Sequence, residues 1–568
     1  MCFSFGFAIN VWAQDRMVTG KVTADDGSSL PGVNVVIKGT TNGTVTDSDG
    51  GYKISVSGSD AVLVFSFIGM ASQEESVGAR SVVDVQMKSD IKQLQEVVVN
   101  AIGETRSKDK LGIASPVIGG SSVVQSGEAT MINGLAGKAE GLTITRNGGD
   151  PGSGSYIQLR GQSTVTGNLQ PLIVVDGMPI NNDTFGADNG ANNTGGTQQQ
   201  SRLNDLNPAD IANVEILKSA AAAALWGSRA ANGVIVITTK RAQNSQGKIS
   251  VTYSGTVSFD EVNKMPDLQR SFGQGSNGRF STGTSSSYGD LISARSGGAD
   301  AQAGTAYVQF PDGSKRYAIA AGNSANPHGG KNSKNTYDHT KDVFQTGHFI
   351  DHNIALQSGN DRTQVYLSYE NLQQQGIVKV RSDYDKNVAK LNLVSQLTPK
   401  LNVRVGAQFN NIRSNRAQQG SNTSGILLGM LRTSPDFDNT NYIGTAYNAA
   451  GLATLGKQIT YRNPIGANAN PGYDNPFWTI NKNTSLSVVN RFIGNVEMNY
   501  DVTDWLSLKG NTGLDTYVDR RTDYGNPQSQ GYLTGSYTEQ YLKTLSLILT
   551  YMPMPKRSSQ TFSGGQYC

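Results

Sequence analysis

After Lys240 the apolar residues of this chain fall on every second position, a period that suits a strand with two unlike faces and no helix. Ile249, Val251, Tyr253, Val257 and Phe259 alternate with Ser250, Thr252, Ser254, Thr256 and Ser258, so one face is apolar and the other wholly hydroxylated. Val365, Leu367 and Tyr369 repeat the pattern, as do Leu401, Val403, Val405, Ala407 and Phe409 against Asn402, Arg404, Gln408 and Asn410. Further copies lie near 486–500, 506–517 and 545–551. No window holds about 18 consecutive apolar residues, which excludes a transmembrane helix. A transmembrane β-strand needs only about 9 to 11 residues of alternating polarity, and that requirement is met.

Alternation alone does not separate a soluble sandwich, polar outside, from a barrel, polar inside. The preceding segment decides. In 201–240, Asn207 is placed to cap a short turn or helix with Pro208 at its first position. Val214, Glu215, Ile216 and Leu217 follow as a strand. Residues 219–226, with five consecutive alanines, predict a thin helix that Gly227 ends. The β-branched run 233–239, from Gly233 through Val234, Ile235, Val236 and Ile237, fits a strand buried on both faces.

Read with two upstream segments, this stretch closely resembles the plug of TonB-dependent outer-membrane transporters of the SusC/RagA type. The first is the run Gln158, Leu159, Arg160, Gly161, Gln162, Ser163. The second runs from Gln170 to Ile180 as QPLIVVDGMPI. The resemblance implies that Arg160, Gly161, Asp176, Gly177, Pro179, Gly227, Arg229, Asn232 and Gly233 are plug-motif residues. Leu135, Gly137, Lys138, Gly141 and Leu142 superficially suggest a phosphate loop. The four-residue spacer and the hydroxyl residue after Lys138 are missing, so nucleotide binding is rejected in favour of a tight helix-to-strand turn.

Residues 18–89 hold short β runs separated by Asp-Gly, Pro-Gly and Asn-Gly signals, which predicts a small β-sandwich. The segment resembles the transthyretin-like, carboxypeptidase-regulatory-like domain found at the N-terminus of many SusC-type proteins. Asp47, Ser48, Asp49 and Gly50 lack the distant bidentate Glu of a calcium loop and read as a hairpin turn. Residues 94–103 follow in a polar linker. The resemblance makes them the TonB box, with Glu96, Val97, Val98, Val99 and Asn100 coupling to TonB by strand addition; the alternative is a last strand of the sandwich. Residues 1–13 are apolar and end in a small-residue pattern, as an export signal does, yet no Lys or Arg precedes Arg16. A buried N-terminal strand is the alternative there, and the missing basic residues point to a start further upstream.

The expected architecture is therefore mainly β. A transthyretin-like sandwich (18–89) leads through the box to an α/β plug (111–240) and an incomplete antiparallel transmembrane β-barrel (248–551). Nine or ten candidate strands are counted against about 22 for plugged barrels. The polar loop 181–200 lacks periodicity. The stretches 260–347 and 416–482, rich in Gly, Ser, Asn and Tyr, fit long extracellular loops. Residues 552–568 carry two prolines and adjacent basic residues, resemble neither a strand nor an outer-membrane C-terminus, and read as an aberrant tail from a frameshift, fragment or premature end; alone, such a chain is expected to aggregate or be degraded.

Catalysis is not expected. His348 and His352 are four apart, but they fall in a strand-like run where four residues span about 13 Å, too far to share one zinc ion at about 2 Å from each ligand. No cofactor or metal is implied. A net charge of +3 without a Lys/Arg run makes nucleic acid an improbable partner. What the resemblance implies is import of a nutrient such as a glycan or peptide, powered by TonB with its inner-membrane ExbB and ExbD energisers. It further implies a SusD-like surface lipoprotein as partner and the lipid of the outer membrane as surroundings. The alternative is a surface adhesion or binding protein without transport. The sequence does not name the cargo.

Overall fold

A computed structural model describes residues 15–88 apart from 26, 41, 58–59, 68–69 and 71, the short stretches 97–99 and 105–107, and 116–555 apart from 147, 162–169, 183–195, 198–199 and 219–225. The leader 1–13, Glu96 and Asn100, most of the loop 181–200 and of the alanine-rich helix 219–226, and the tail from 556 onward lie outside the described residues. The chain divides into two compact units.

The first unit is the sandwich. Strands β1 (Asp15–Thr23), β2 (Asn34–Ile37), β3 (Gly43–Val45), β4 (Gly51–Ser57), β5 (Val62–Ser66), β6 (Gln73–Ser76) and β7 (Val85–Gln86) form two sheets, ordered β4-β1-β7 and β3-β2-β5-β6. The inward residues of both sheets, among them Val22, Val35, Ile54, Leu63, Phe65 and Met87, share one core. Tyr52 packs edge-on against Phe65 and donates its hydroxyl to the Val83 carbonyl at 2.7 Å, which satisfies its polar end inside an apolar core. Burial pushes its pKa up to about 12. Gly20 crosses under that carbonyl so closely that a Cβ there would lie 1.9 Å from Val83 O. Asp47 Oδ1 accepts from Asp49 N and Gly51 N, and Gly50 takes φ +76°, a hairpin turn closed on itself. In the same unit β8 (Val97–Val99) pairs antiparallel with β9 (Thr105–Ser107).

The second unit begins with the plug. Strands β10 (Val117–Gly119), β11 (Leu142–Arg146), β12 (Ser155–Leu159), β13 (Leu172–Val175), β14 (Met178–Ile180), β15 (Ile211–Leu217) and β16 (Val234–Thr239) are joined by short helices α1 (Gly120–Val124) and α2 (Met131–Gly134). The five-stranded sheet runs β10-β15-β16-β13-β14, with β13 and β16 parallel. β16 is buried on both faces as its β-branched run predicts: Ile235 and Ile237 enter one apolar cluster while Val234 and Val236 enter another. Asn207 caps the 3-10 turn Pro208–Asp210 through Ala209 N at 2.8 Å.

The wall follows: β17 (Ser250–Asp260), four short strands β18 (Gly275–Ser276), β19 (Arg279–Phe280), β20 (Gln302–Gln309) and β21 (Lys315–Ile319), then β22 (Gly347–Gly359), β23 (Thr363–Gln375), β24 (Asp383–Thr398), β25 (Leu401–Asn415), β26 (Ile443–Tyr447), β27 (Ala453–Gln458), β28 (Thr484–Asp501), β29 (Leu506–Gly525) and β30 (Ser536–Pro555). Eight of them make one antiparallel sheet, β17-β22-β23-β24-β25-β28-β29-β30. Its polarity is inverted relative to a soluble protein. Lys386, Arg491, Asp515 and Asp519 are buried on the plug side, while Phe409, Met498, Leu545, Leu547 and Leu549 are exposed, Leu549 at 81 %. Only a surface turned to hydrocarbon makes that arrangement favourable.

Three expectations are corrected. The large sheet has eight strands among the described residues rather than nine or ten. The stretches 260–347 and 416–482 are not bare loops: β21-β20-β26-β27 form a four-stranded sheet drawn from both, beside helices α3 (Ile426–Arg432) and α4 (Pro476–Lys482). Arg295 pins this cap, forked onto Asp290 at 2.7 and 2.8 Å and reaching Asp436 at 2.8 Å. The strand pattern also does not stop at Tyr551. β30 stays in register with β29 through Pro555, where Leu506 is its partner.

Candidate functional site

The plug-motif residues do not converge on one site; they set turns. Arg160 (φ +60°) and Gly161 (φ +89°) take the chain out of β12, with Arg160 N donating to Gly141 O at 2.8 Å. Asp176 (φ +48°) and Gly177 (φ +83°) form the two-residue hairpin between β13 and β14, both central residues left-handed as such a hairpin requires. Pro179 lies opposite Val174. The Asp176 carboxylate accepts from Thr239 Oγ1 at 2.6 Å and Thr239 N at 3.1 Å, and Arg241 approaches to 3.4 Å. Gly227 (φ +63°) opens a 3-10 turn that holds the exposed Arg229, and Asn232 and Gly233 (φ +89°) lead into β16.

What converges instead is a polar seat between the plug and the wall, built on 202–210. Arg491 on β28 forks onto Asp515 on β29 at 2.9 and 2.7 Å, and its Nη1 donates to Asp205 of the plug at 3.0 Å and to the Arg202 carbonyl at 2.7 Å. Arg202 lies 3.6 Å from Asp205 and over the Tyr517 ring. Two cations thus face two anions, and all four side chains are essentially inaccessible to solvent. A neutral, hydrogen-bonded quartet can be buried; any three of its members cannot.

Further contacts extend the seat along the same segment. Tyr366 donates to Asp210 at 2.9 Å, Asn207 to Asn353 at 2.8 Å and Gln408 to the Asp205 carbonyl at 3.2 Å. Lys386 pairs with Glu370 at 2.9 Å beside the Asn204 carbonyl. Asn392 donates to Thr239 at 2.9 Å and to the Lys240 carbonyl at 2.6 Å, which links the Asp176 turn to the wall. The sequence reading missed Arg491, Asp515, Lys386, Glu370 and Tyr366. Their signal was a polar or charged residue on the inward face of an alternating strand, and the plug partners of Arg491, Asp515, Lys386 and Tyr366 lie 156 or more positions away.

Thr252 and Ser254 of β17 line a cavity of about 350 Å³ with Asp210, Lys240, Arg241 and Tyr366, so the hydroxylated face looks toward the plug. His348 and His352 both lie in β22, at strand spacing, and His352 Nδ1 bonds the Tyr253 hydroxyl at 2.8 Å. Where the plug meets the cap, Asp150 contacts Gln419 and burial pushes its pKa up to about 6.

Comparison with known proteins agrees with this geometry. Residues 18–99 match the CarboxypepD_reg-like domain and residues 107–234 the TonB-dependent receptor plug domain. The chain is 30 % identical over 500 residues to the TonB-dependent receptor SusC of Bacteroides thetaiotaomicron, covering 87 % of this chain and 43 % of SusC. It is 38 % identical over 253 residues to the TonB-dependent receptor P39 of Formosa agariphila, covering 44 % of this chain and 22 % of P39. The chain thus spans less than half the length of these curated relatives. In fold it is similar to a chain of the RagAB peptide importer, with TM-score 0.55 at 16 % identity over 79 % of this chain and 46 % of that one.

Proposed function

From a chain of the SusC/RagA type of TonB-dependent transporter, we propose that the whole protein imports a nutrient, a glycan or peptide, across the outer membrane on energy delivered by TonB. ExbB and ExbD energise TonB at the inner membrane, and a SusD-like surface lipoprotein covers the end of the wall that carries the cap. The observation that carries this reading is the buried quartet of Arg491, Asp515, Arg202 and Asp205, which seats a globular plug on an inside-out sheet. An adhesion protein has no use for a plug held on such a wall. A polar seat supports a movable plug, because water can replace each hydrogen bond as the plug shifts, whereas an oily seat would expose hydrocarbon-like surface to the lumen.

The sidedness follows from the connections. Those after β17, β23, β25 and β29 are the long ones, and those after β22, β24 and β28 are short turns, the asymmetry of an outer-membrane barrel with its long loops outside the cell. Coupling falls to Glu96, Val97, Val98, Val99 and Asn100. β8 pairs with β9 along one edge, and its other edge is the one offered to TonB. The test is deletion of 94–100 in the full-length protein. Membrane insertion is expected to persist and uptake to stop; normal uptake would overturn the assignment.

A further inference from the structure

Within the cap a cavity of about 200 Å³ opens between the β20–β21 hairpin and the segment around Phe437. Its charges are accounted for one by one. Asp300 is held by Lys331 at 2.6 Å and by the backbone N–H groups of Asn332 and Ser333. Asp436 is held by Arg295, Ser434 and Gln274 N. Asp438 closes its own turn through Thr440 and Asn441. Arg316 differs. Its guanidinium is clamped between the Phe310 and Phe437 rings, 5.0 and 4.8 Å from their centroids, and no carboxylate, carbonyl or hydroxyl among the described residues accepts from it. Its Nη1 is closed off from solvent without an acceptor.

That state is costly. A buried charged donor without an acceptor forfeits its hydration and gains nothing in return. Burial is the largest influence on this group and pulls its pKa down from the ordinary arginine value, with Asp438, Tyr337 and Asp300 acting in the opposite direction. Two aromatic faces fix the plane of the guanidinium; with Nη1 closed off, the edge left for a planar, two-oxygen acceptor is the one that carries Nε and Nη2, a geometry in which arginine recognises carboxylate well.

We propose that the cavity is a subsite for the carboxyl terminus of a peptide, with Arg316 as the carboxylate receptor. Two of the other cavity donors are engaged: Gln274 Nε2 gives both hydrogens, to Thr284 O and Tyr461 O, and Lys331 is committed to Asp300. An acidic sugar carries hydroxyls all round its ring, whereas the wall on either side of Arg316 is the apolar face of Phe310 and of Phe437. A terminal residue needs one carboxylate receptor, acceptors for its N–H and apolar wall for its side chain, which Phe437 and Tyr337 supply. The volume suits one residue, the end of a cargo rather than the whole of it. This deepens the import reading and rests on it only for what the cargo is.

The test is calorimetric titration of the full-length protein in lipid nanodiscs with Gly-Gly-Phe, its C-terminal amide, digalacturonate and digalacturonate methyl ester. The tripeptide acid is expected to bind saturably and about tenfold or more tighter than its amide. Arg316→Gln should weaken the acid about tenfold or more, with the amide unchanged. Asn335→Asp, on the exposed rim, should weaken the acid several-fold by charge repulsion, and it decides the matter where Arg316→Gln fails to fold. Equal binding of acid and amide, no binding of the acid at millimolar concentration, or indifference of the acid to the variants would overturn the proposal. So would digalacturonate binding in preference to the peptide. Loss of carboxylate binding leaves coupling through 94–100 untouched, so failure here and failure of the import reading are distinguishable.

Discussion

Arg491 Nη1 lies 3.0 Å from Asp205 Oδ2, a bond across 286 positions of chain that ties the wall to the plug with both groups buried. It closes the charge balance of the seat, since Asp515 alone neutralises Arg491 while Asp205 is left to answer Arg202.

Removing one member therefore strands a charge. Asp205→Asn is expected to cost about 3 to 5 kcal/mol of plug docking, and Arg491→Met a similar amount. The double variant should cost clearly less than the sum of the two. Urea unfolding of the full-length protein, followed by protease cleavage within the plug, measures all three; strict additivity would show that the pair is not coupled.

The two faces of β17 predict unequal damage from the same substitution. Val251 is exposed on the apolar face, whereas Thr252 lines the cavity shared with the plug. Val251→Arg is expected to impair assembly by about 2 to 4 kcal/mol near the midplane, with Thr252→Arg milder. Heat-modifiable mobility of protein extracted from outer membranes reads the difference. Equal damage at both positions would argue for a strand buried on each side.

Acidity should tighten the cap. Asp474 is buried, accepts from Gln530 N at 2.6 Å and Gln458 Nε2 at 3.1 Å, and burial pushes its pKa up to about 7. A carboxyl whose folded pKa stands above its unfolded value near 4 stabilises the fold fully below that unfolded value. The contribution is lost as pH rises through about 7. Asp150, at about 6, acts in the same direction over a narrower window. Thermal melting should fall between pH 5 and pH 8, and Asp474→Asn should flatten the profile.

In the sandwich, Gly20→Ala drives a methyl group into Val83 O and is expected to cost about 1 to 3 kcal/mol. Hydrogen exchange of the whole chain should show lost protection confined to residues 15–88. Loss spreading to β16 would mean that the two units unfold as one.

The legible parts of this structure were those written in consecutive residues. The doubly buried β16, the turn at Asp47 to Gly50 and the Asn207 cap each follow from a local pattern of burial or backbone preference. The seat was not legible, because Arg491 and Asp515 look in sequence like ordinary polar positions of an alternating strand, and their meaning depends on a partner hundreds of residues away. β24 was obscured for the same reason: Lys386 and Lys390 occupy its inward face. The cap was misread because Gly, Ser and Asn suit solvated loops and tight turns alike, and only the pairing of β20 with β26 separates the two.

That pairing has a further consequence. Tyr307 and Tyr447 stack at 4.6 Å, yet one belongs to the insertion after β17 and the other to the insertion after β25. Neither insertion is a self-contained module that can be exchanged alone. Grafting one onto another scaffold would leave a two-stranded half with an open ladder on its inner edge, so a chimera must carry both insertions together to keep its rim closed.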